Sequence, residues 1–325
     1  MRPDRWSALA ATLFGRRRPR ATVLAYHRVA APAIDPWSLA VTPEHFAEHV
    51  QVLARRATVV PLAALPSVLA GRRAPRRCVA VTFDDGYADN LHAAVPALER
   101  GGVPATVFVI AGTLGGTELW WDRLARLLLS SGALPERLSL ALDGAPGETT
   151  FDTSGSSRLD VFMEIWRTLQ PLRHAERERC LARIAASIGE DRGIAEARTL
   201  AVDELVALAA HPLVAVGGHT VTHPRLAALP PAEQALEIVE GKRVLEEIVG
   251  RPLDAFAYPF GRPEDFTSET ERAVRDAGFR IACANFSGSV GASTDPHRLP
   301  RAYVQDCDGD VFEQRLAGWL AATPR

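Results

Sequence analysis

Two acidic residues and two histidines, in separate parts of the chain, have the types and the spacing to do chemistry together. Asp84 and Asp85 follow the apolar run 79–83, and Gly86 comes directly after them. Neighbouring strand residues point to opposite faces, so both acids reach one site only if the chain turns there, which Gly86 allows. An Asp-Gly turn at the end of a strand is also common without any chemical role.

The second pair is His219 and His223, four residues apart, which one helical turn would place on the same side. Gly217 and Gly218 before them and Pro224 after them confine such a turn to a single round. Two imidazoles and one carboxylate, with one position left open, form the ligand set of catalytic zinc sites. Hydrolysis needs a second, unbound carboxylate to take a proton from the metal-bound water, whose pKa zinc lowers to about 7. Together the four residues predict a hydrolytic metal centre.

The elements that must position these residues alternate in type along the chain. Amphipathic helical stretches separate short apolar, β-favouring runs at 22–26, 58–60, 79–83, 105–110, 213–216, 255–258, 281–284 and 301–304. This alternation predicts parallel βα units and a barrel-like α/β fold of seven or eight strands. In such barrels the carboxyl ends of the strands meet on one face, and both chemical pairs follow strand ends.

Residues 113–210 break the alternation, with several helical stretches and a polar, glycine-containing region that is typical of a small hairpin. They are too apolar to be disordered. We therefore predict a mainly helical insertion subdomain at 113–210. The barrel would then be discontinuous, formed by 21–112 and 211–325, with 1–20 as an N-terminal extension.

Composition narrows the class of protein. The 325 residues are 47% hydrophobic and 23% charged, as in a soluble globular enzyme, and the net charge of −2 argues against a nucleic-acid partner. No run approaches the roughly 18 apolar residues of a membrane span. The basic cluster 16–18 follows the mildly apolar stretch 6–15, the reverse of a secretory signal. We expect a cytoplasmic protein without an integral membrane segment, and keep peripheral membrane association through an N-terminal helix as an alternative.

The segments Thr-Phe-Asp-Asp-Gly-Tyr at 82–87 and His-Thr-Val-Thr-His at 219–223 resemble the first two signature motifs of the polysaccharide deacetylases. This family is carbohydrate esterase family 4, also called the NodB-homology domain. The resemblance covers about residues 20–112 and 211–306. It implies a distorted (β/α)7-8 barrel that removes N-acetyl, and in some members O-acetyl, groups from glycans with zinc or a similar divalent ion.

The resemblance also implies a role for each of the four residues. Asp84 would be the catalytic base, and Asp85, His219 and His223 would bind the metal, for which we expect Zn²⁺.

Two later parts of the family pattern differ in this chain. The third motif is usually Arg-x-Pro-Tyr, but here Tyr258, Pro259 and Phe260 follow Ala257, so the arginine that orients the base is absent. We predict that Arg298 or Arg301 replaces it from the neighbouring strand. The backbone N–H of Phe260 could still help to hold the oxyanion. Tyr258, Pro259, Phe260 and Arg301 are therefore the predicted substrate and oxyanion residues.

The fifth motif, Leu-x-His, is missing, so the general acid must come from elsewhere. Tyr26 and His27 resemble a Tyr-His stretch of the biofilm-polysaccharide branch of the family, in which the histidine is the acid. We choose His27 for this role, against a purely structural role at the strand end, and keep His297 in reserve. Candidates for stacking on sugar rings are the aromatic residues Trp37, Trp120, Trp121 and Tyr258, although Trp120 and Trp121 fit anchoring of the insertion better.

These observations predict a metal-dependent hydrolase that removes N-acetyl groups from a polysaccharide or oligosaccharide, with an acetylated glycan as its partner. Two alternatives stay open. The protein could be a metal amidase for a small non-sugar amide, since the third motif lacks its arginine. It could also be a catalytically silent glycan-binding protein of the polysaccharide biosynthesis machinery.

Overall fold

A computed structural model describes residues 20–71, 75–130, 132–143, 146–189 and 197–321. Apart from its last residue, the predicted N-terminal extension lies outside these ranges, and so does the helix considered for membrane association. Among the described residues, no helix combines the length and the apolar character needed to cross a bilayer. The cytoplasmic location stays a prediction.

The strands of the described residues form one large curled sheet and two small ones. In chain order they are β1 (Arg20–Tyr26), β2 (Arg28–Val29), β3 (Ala40–Val41), β4 (Thr58–Val59), β5 (Cys78–Phe83), β6 (Ala105–Val109), β7 (Arg137–Ala141), β8 (Glu148–Asp152), β9 (Val214–Gly218), β10 (Ala255–Ala257), β11 (Ile281–Cys283), β12 (Val290–Gly291) and β13 (Ala302–Tyr303).

The large sheet has the order β11-β10-β9-β6-β5-β1, with β13 beside β1 and β4 beside the first residues of β5. All of these strands are parallel, and only the short β12 pairs with β1 in the antiparallel sense. A bridge between Cys283 and Leu299 links the β11 edge to the segment that leads into β13, so the sheet curls back on itself. The predicted α/β barrel-type fold is confirmed, and all eight predicted β-runs contribute strands to this sheet, which has nine strands among the described residues.

The helices are α1 (Pro43–Arg56), α2 (Leu65–Ala70), α3 (Val95–Gly101), α4 (Trp120–Leu129), α5 (Arg158–Leu169), α6 (His174–Ile188), α7 (Val202–Ala210), α8 (Pro231–Val249), α9 (Ser268–Asp276) and α10 (Gly309–Ala321), and a π-helical turn at Asn90–Ala94 leads into α3. Helix α1 begins as its sequence predicts: the hydroxyl of Thr42 accepts the N–H of His45, and Pro43 occupies the first position.

Strand β5 is buried along its whole length, as expected of a parallel strand covered on both faces. Its side chains alternate between two hydrophobic clusters. Val79 and Val81 join the larger cluster together with residues of the surrounding helices, whereas Cys78 and Ala80 join a smaller one with other strand residues and with Leu65 and Leu69 of α2. This packing holds the end of β5 rigidly in the middle of the sheet.

The region predicted as an insertion has a hydrophobic cluster of its own. Helices α4, α5 and α6 and the predicted hairpin, formed by β7 and β8, contribute most of its residues. Helix α7 was also assigned to the insertion, but its Leu205 and Leu208 pack in the cluster of the sheet. The domain limits themselves stay a prediction.

The two ends of the insertion lie side by side. The N–H of Gly115 donates to the carbonyl of Leu200 over 3.1 Å, and the N–H of Thr199 donates to the carbonyl of Thr117 over 2.8 Å. The chain therefore leaves the sheet and returns to it at almost the same place.

Gly217, the residue before the last position of β9, allows close contact with both neighbouring strands. A Cβ there would lie 2.5 Å from Cδ1 of Phe108 and 2.9 Å from the carbonyl oxygen of Ala255. We expect Gly217→Ala to lower the free energy of unfolding by about 1–3 kcal/mol, because the core around it has no space for a methyl group. Urea unfolding measures this change. Gly291→Ala is the matched control, since nothing lies within 4 Å of its Cβ position, and equal stabilities of the two variants would contradict the prediction.

Candidate active site and metal centre

The chain turns sharply after β5, as the Asp-Gly pair predicts. The N–H of Asp84 still continues the sheet and donates to the carbonyl of Tyr26 over 3.0 Å. Asp85 and Gly86 then both have φ of 73°, in the left-handed region that residues other than glycine adopt at a cost of roughly 1–2 kcal/mol. This turn directs the two neighbouring carboxylates to two different sets of partners.

The histidine loop starts where β9 ends. The N–H of His219 donates to the carbonyl of Val109 over 3.0 Å. The expected helical turn does not form: Thr220 and His223 have φ of 66° and 53°, and the hydroxyl of Thr220 accepts the N–H of His223 over 3.0 Å. A left-handed turn held by a threonine side chain therefore brings both imidazoles to one side.

A side chain of helix α8, Glu237, holds the backbone of this loop. One carboxylate oxygen of Glu237 accepts the N–H groups of Val221 and Thr222 over 2.9 and 2.8 Å, and the other accepts the hydroxyl of Thr222 over 2.7 Å. A single side chain thus fixes the two residues between Thr220 and His223.

Asp85, His219 and His223 converge, and all three are buried. Oδ1 of Asp85 lies 3.4 Å from Nε2 of His219 and 3.5 Å from Nε2 of His223. Metal–ligand bonds of about 2.0–2.1 Å in a tetrahedral site would separate ligand atoms by about 3.3 Å, so the spacing fits an ion such as zinc. Nδ1 of His219 lies 2.8 Å from the carbonyl of Ala257. As a donor there, it leaves Nε2 with a free lone pair for a metal.

Asp84 has a separate partner, Arg301, which lies just before β13. Nη1 and Nη2 of Arg301 donate to the two carboxylate oxygens over 2.7 and 2.6 Å, and both residues are buried. Burial alone would raise the pKa of Asp84, but the charge and hydrogen bonds of Arg301 outweigh it and hold this pKa well below its usual range. Of the two arginines considered for this place, the structure pairs Arg301 with the acid; Arg298 lies against the rings of Phe266 and Phe286.

His27 lies close to the carboxylate of Asp84. Its Nε2 is 3.9 Å from Oδ2 of Asp84, and its side chain is 12% exposed. Its ring approaches that of Tyr303 at 5.5 Å. The reserve candidate, His297, is elsewhere: its Nε2 lies 2.9 Å from the carbonyl of Phe279, at the amino end of β11, whereas Asp84 follows the carboxyl end of β5.

The residues at the position of the third motif, Tyr258, Pro259 and Phe260, agree only in part with the predicted substrate role. The ring of Tyr258 is 1% exposed and stacks on Phe266 at 4.1 Å, while its hydroxyl donates to the carbonyl of His297. Stacking of a sugar on Tyr258 was therefore a wrong prediction. Pro259 is also buried. Phe260 is half-buried, with φ of 59°, and its ring lies 4.8 Å from that of His223.

Several tryptophans lie near the histidine loop, and Trp121 of the insertion contacts it directly. Trp121 is buried; its Nε1 donates to the hydroxyl of Tyr87 over 2.9 Å, and its ring lies 4.8 Å from that of His223. Trp120 is buried as well, which fits anchoring of the insertion better than sugar stacking. Trp37 and Trp166 are half-buried and lie 4.6 Å apart, and Trp166 is 6.2 Å from Phe260. Trp166 was missed because nothing in its helical sequence sets it apart.

Asp122 is a second residue that the sequence did not single out, because an Asp-Arg pair at a helix start is ordinary. The hydroxyl of Tyr87 donates to its Oδ2 over 2.7 Å, and burial raises the pKa of Asp122 to about 7. Through Tyr87 it belongs to the same hydrogen-bonded chain as Trp121. This chain braces the turn after β5 against the insertion.

Comparison with known families agrees with the motifs and the geometry. The family model described as polysaccharide deacetylase matches residues 71–133 and 184–282. The chain belongs to the polysaccharide deacetylase family, and the predictions of this family and of a deacetylase enzyme are confirmed. The unmatched stretch between the two matches, residues 134–183, is about half of the predicted insertion.

Individual relatives show the same fold at low identity. YxkH of Bacillus subtilis, provisionally named a polysaccharide deacetylase, is 20% identical over 284 residues, which cover 87% of this chain and 70% of YxkH. The structure of the Streptococcus pyogenes deacetylase PplD in complex with acetate is 16% identical, with a TM-score of 0.59 over 93% of this chain and 98% of PplD. IcaB from Ammonifex degensii is 21% identical, with a TM-score of 0.58 and the same coverage of 93% and 98%.

Proposed function

We propose that this deacetylase removes N-acetyl groups from a polysaccharide or oligosaccharide, with a divalent cation, expected to be Zn²⁺, bound by Asp85, His219 and His223. The observation that carries the proposal is the separation of the two carboxylates. Asp85 faces the histidines, whereas the adjacent Asp84 is held by Arg301. A protein that only binds glycans would have no use for a buried, oriented carboxylate beside a complete ligand set.

The steps of amide hydrolysis can each be assigned to a different group of the site. A bound divalent cation would polarise the amide carbonyl and lower the pKa of a water molecule towards neutrality. Arg301 keeps Asp84 ionised and oriented, which also makes it a weak base, adequate only for a water already made acidic. His27, whose Nε2 lies 3.9 Å from Oδ2 of Asp84, would protonate the leaving amine. Phe260 would contribute its N–H to the oxyanion.

The aromatic row Phe260–Trp166–Trp37 supports a glycan rather than a small amide. These half-buried rings extend away from His223 through successive ring contacts. Aromatic faces combine a large apolar area with low conformational cost, so a row of them suits several sugar residues in sequence. The Tyr-His resemblance of residues 26 and 27 favours a biofilm-type exopolysaccharide as the substrate.

Acetate release from a panel of acetylated compounds tests the proposal. The panel holds N-acetylglucosamine oligomers of different linkage, an O-acetylated oligosaccharide and a small N-acetyl amide without sugar, each with and without a chelator. We expect release from an N-acetylated oligomer, loss with the chelator and recovery with added Zn²⁺. Release only from the small amide would favour the amidase alternative, and no release from any compound would favour a silent binding protein.

The acid role of His27 is tested by His27→Gln. General acid catalysis contributes about 10²–10⁴-fold, so we expect kcat to fall within this range. His174→Gln is the matched control, because His174 is exposed at the start of α6. An unchanged kcat in His27→Gln would leave His27 with a structural role only.

A further inference from the structure

We infer that Arg177, which comes from the insertion, is a positioning residue for the loop that carries the two histidine ligands. The inference rests on the proposed metal centre. Arg177 lies in α6, far from the sheet in sequence, yet its Nη2 donates to the carbonyl of Thr222 over 3.0 Å. Thr222 directly precedes His223, so this hydrogen bond holds the backbone next to a ligand.

The side chain of Arg177 is completely enclosed. It is 1% exposed, and its guanidinium lies 4.7 Å from the centre of the Trp120 ring. Its Nε and Nη1 have no hydrogen-bond partner among the described residues. Burial lowers the pKa of Arg177 to about 10, which still leaves it charged at neutral pH. Enclosing a cation with so few partners costs free energy, so stability alone gives no reason for an arginine here.

The loop needs support on both sides because it is strained. Thr220 and His223 have positive φ values, and such a backbone persists only where its surroundings hold it. Glu237 holds the N–H groups of residues 221 and 222 from the side of α8. Arg177 holds the carbonyl of Thr222 from the side of the insertion. The peptide groups before His223 are thus clamped between two charged side chains of opposite sign.

The clamp makes the insertion part of the metal centre, although it supplies no ligand. Arg177 lies in the stretch that the family model leaves unmatched, between residues 133 and 184. This support therefore comes from outside the region that the family model matches, whereas the ligand set lies inside it. Groups that orient metal ligands without touching the metal typically change metal affinity by about 10–100-fold.

Metal binding, measured without any substrate, tests the inference. Wild type, Arg177→Met and Arg177→Lys are titrated with Zn²⁺ against a chromophoric chelator, and the visible spectrum of each Co²⁺ form is recorded. We expect Arg177→Met to bind Zn²⁺ about 10–100-fold more weakly and to shift the Co²⁺ bands. Arg177→Lys, which keeps a donor, should recover part of the affinity. Arg179→Met is the matched control, because Arg179 lies on the same helix, is 59% exposed and pairs with Asp143 inside the insertion.

Thermal unfolding of the metal-free proteins separates positioning from folding. Replacing a buried charge of this kind by an apolar residue is often neutral or stabilising, so the metal-free Arg177→Met variant should melt at the temperature of the metal-free wild type. Weaker zinc binding by a variant that melts in this way supports the inference. If the Met variant does not fold, unchanged Zn²⁺ affinity in Arg177→Lys overturns the inference, and reduced affinity supports it. Equal affinities of wild type and Arg177→Met overturn it as well. If the wild type binds no zinc, the proposed metal centre itself is contradicted. This outcome is distinguishable from equal affinities of wild type and variant, which contradict only the role of Arg177.

Discussion

Asp84→Asn is expected to lower the rate of acetate release by about 10²–10⁴-fold, the usual contribution of a general base, while the protein keeps its bound zinc. An amide cannot take up the proton of the attacking water, but the ligand set of Asp85 and the two histidines is untouched. Steady-state kinetics and the zinc content of the purified variant measure the two effects. Full activity in this variant would remove the base assignment.

The same substitution has a cost in stability, because it leaves buried Arg301 without a carboxylate. Removing one partner of a buried ion pair typically costs about 3–5 kcal/mol. The double variant Asp84→Asn, Arg301→Met is the control: it removes both charges, so it should be more stable than the single variant and equally inactive. If its activity returned with its stability, the loss in Asp84→Asn would reflect folding rather than chemistry.

His219→Ala is expected to lose zinc binding, and with it acetate release, down to the level of the chelated wild type. The variant loses a proposed ligand whose Nδ1 is fixed by the carbonyl of Ala257. Its affinity should fall by more than the roughly 100-fold cost of an outer partner. Zinc titration and metal analysis after dialysis measure the loss.

A matched control for this substitution is His174→Ala, which removes an exposed imidazole at the start of α6. It should keep one zinc per chain and full activity. Stoichiometric zinc in His219→Ala would refute the proposed ligand set.

Much of this arrangement can be predicted because local signals agree with the fold. The apolar runs of the sheet are short and separated by helical stretches, so their alternation alone indicates parallel pairing. The Asp-Asp-Gly turn and the paired histidines follow strand ends, and such ends converge in a parallel barrel. Arg301 could be proposed only as one of two arginines, because the choice depends on which of them the last strand turns towards Asp84.

Other features depend on packing between distant segments, which no local pattern reports. Tyr258 was expected to face a sugar, but its ring stacks on Phe266 and its hydroxyl donates to the carbonyl of His297. Trp166 and Arg177 come from ordinary amphipathic helices, and their contacts with the site exist only once the insertion folds onto the sheet. The left-handed turn at His223 depends likewise on the hydroxyl of Thr220 and on Glu237.

The adjoining ends of the insertion have a consequence for how such a protein can diverge. Since hydrogen bonds of Gly115 and Thr199 join the outgoing and returning chain, lengthening the intervening segment need not move the places where it leaves and rejoins the sheet. Changes of sequence and length in this segment are therefore compatible with an unchanged barrel. The freedom ends at two places, since any replacement must still support the backbone beside His223, as Arg177 does, and the turn after β5, as Trp121 and Asp122 do through Tyr87.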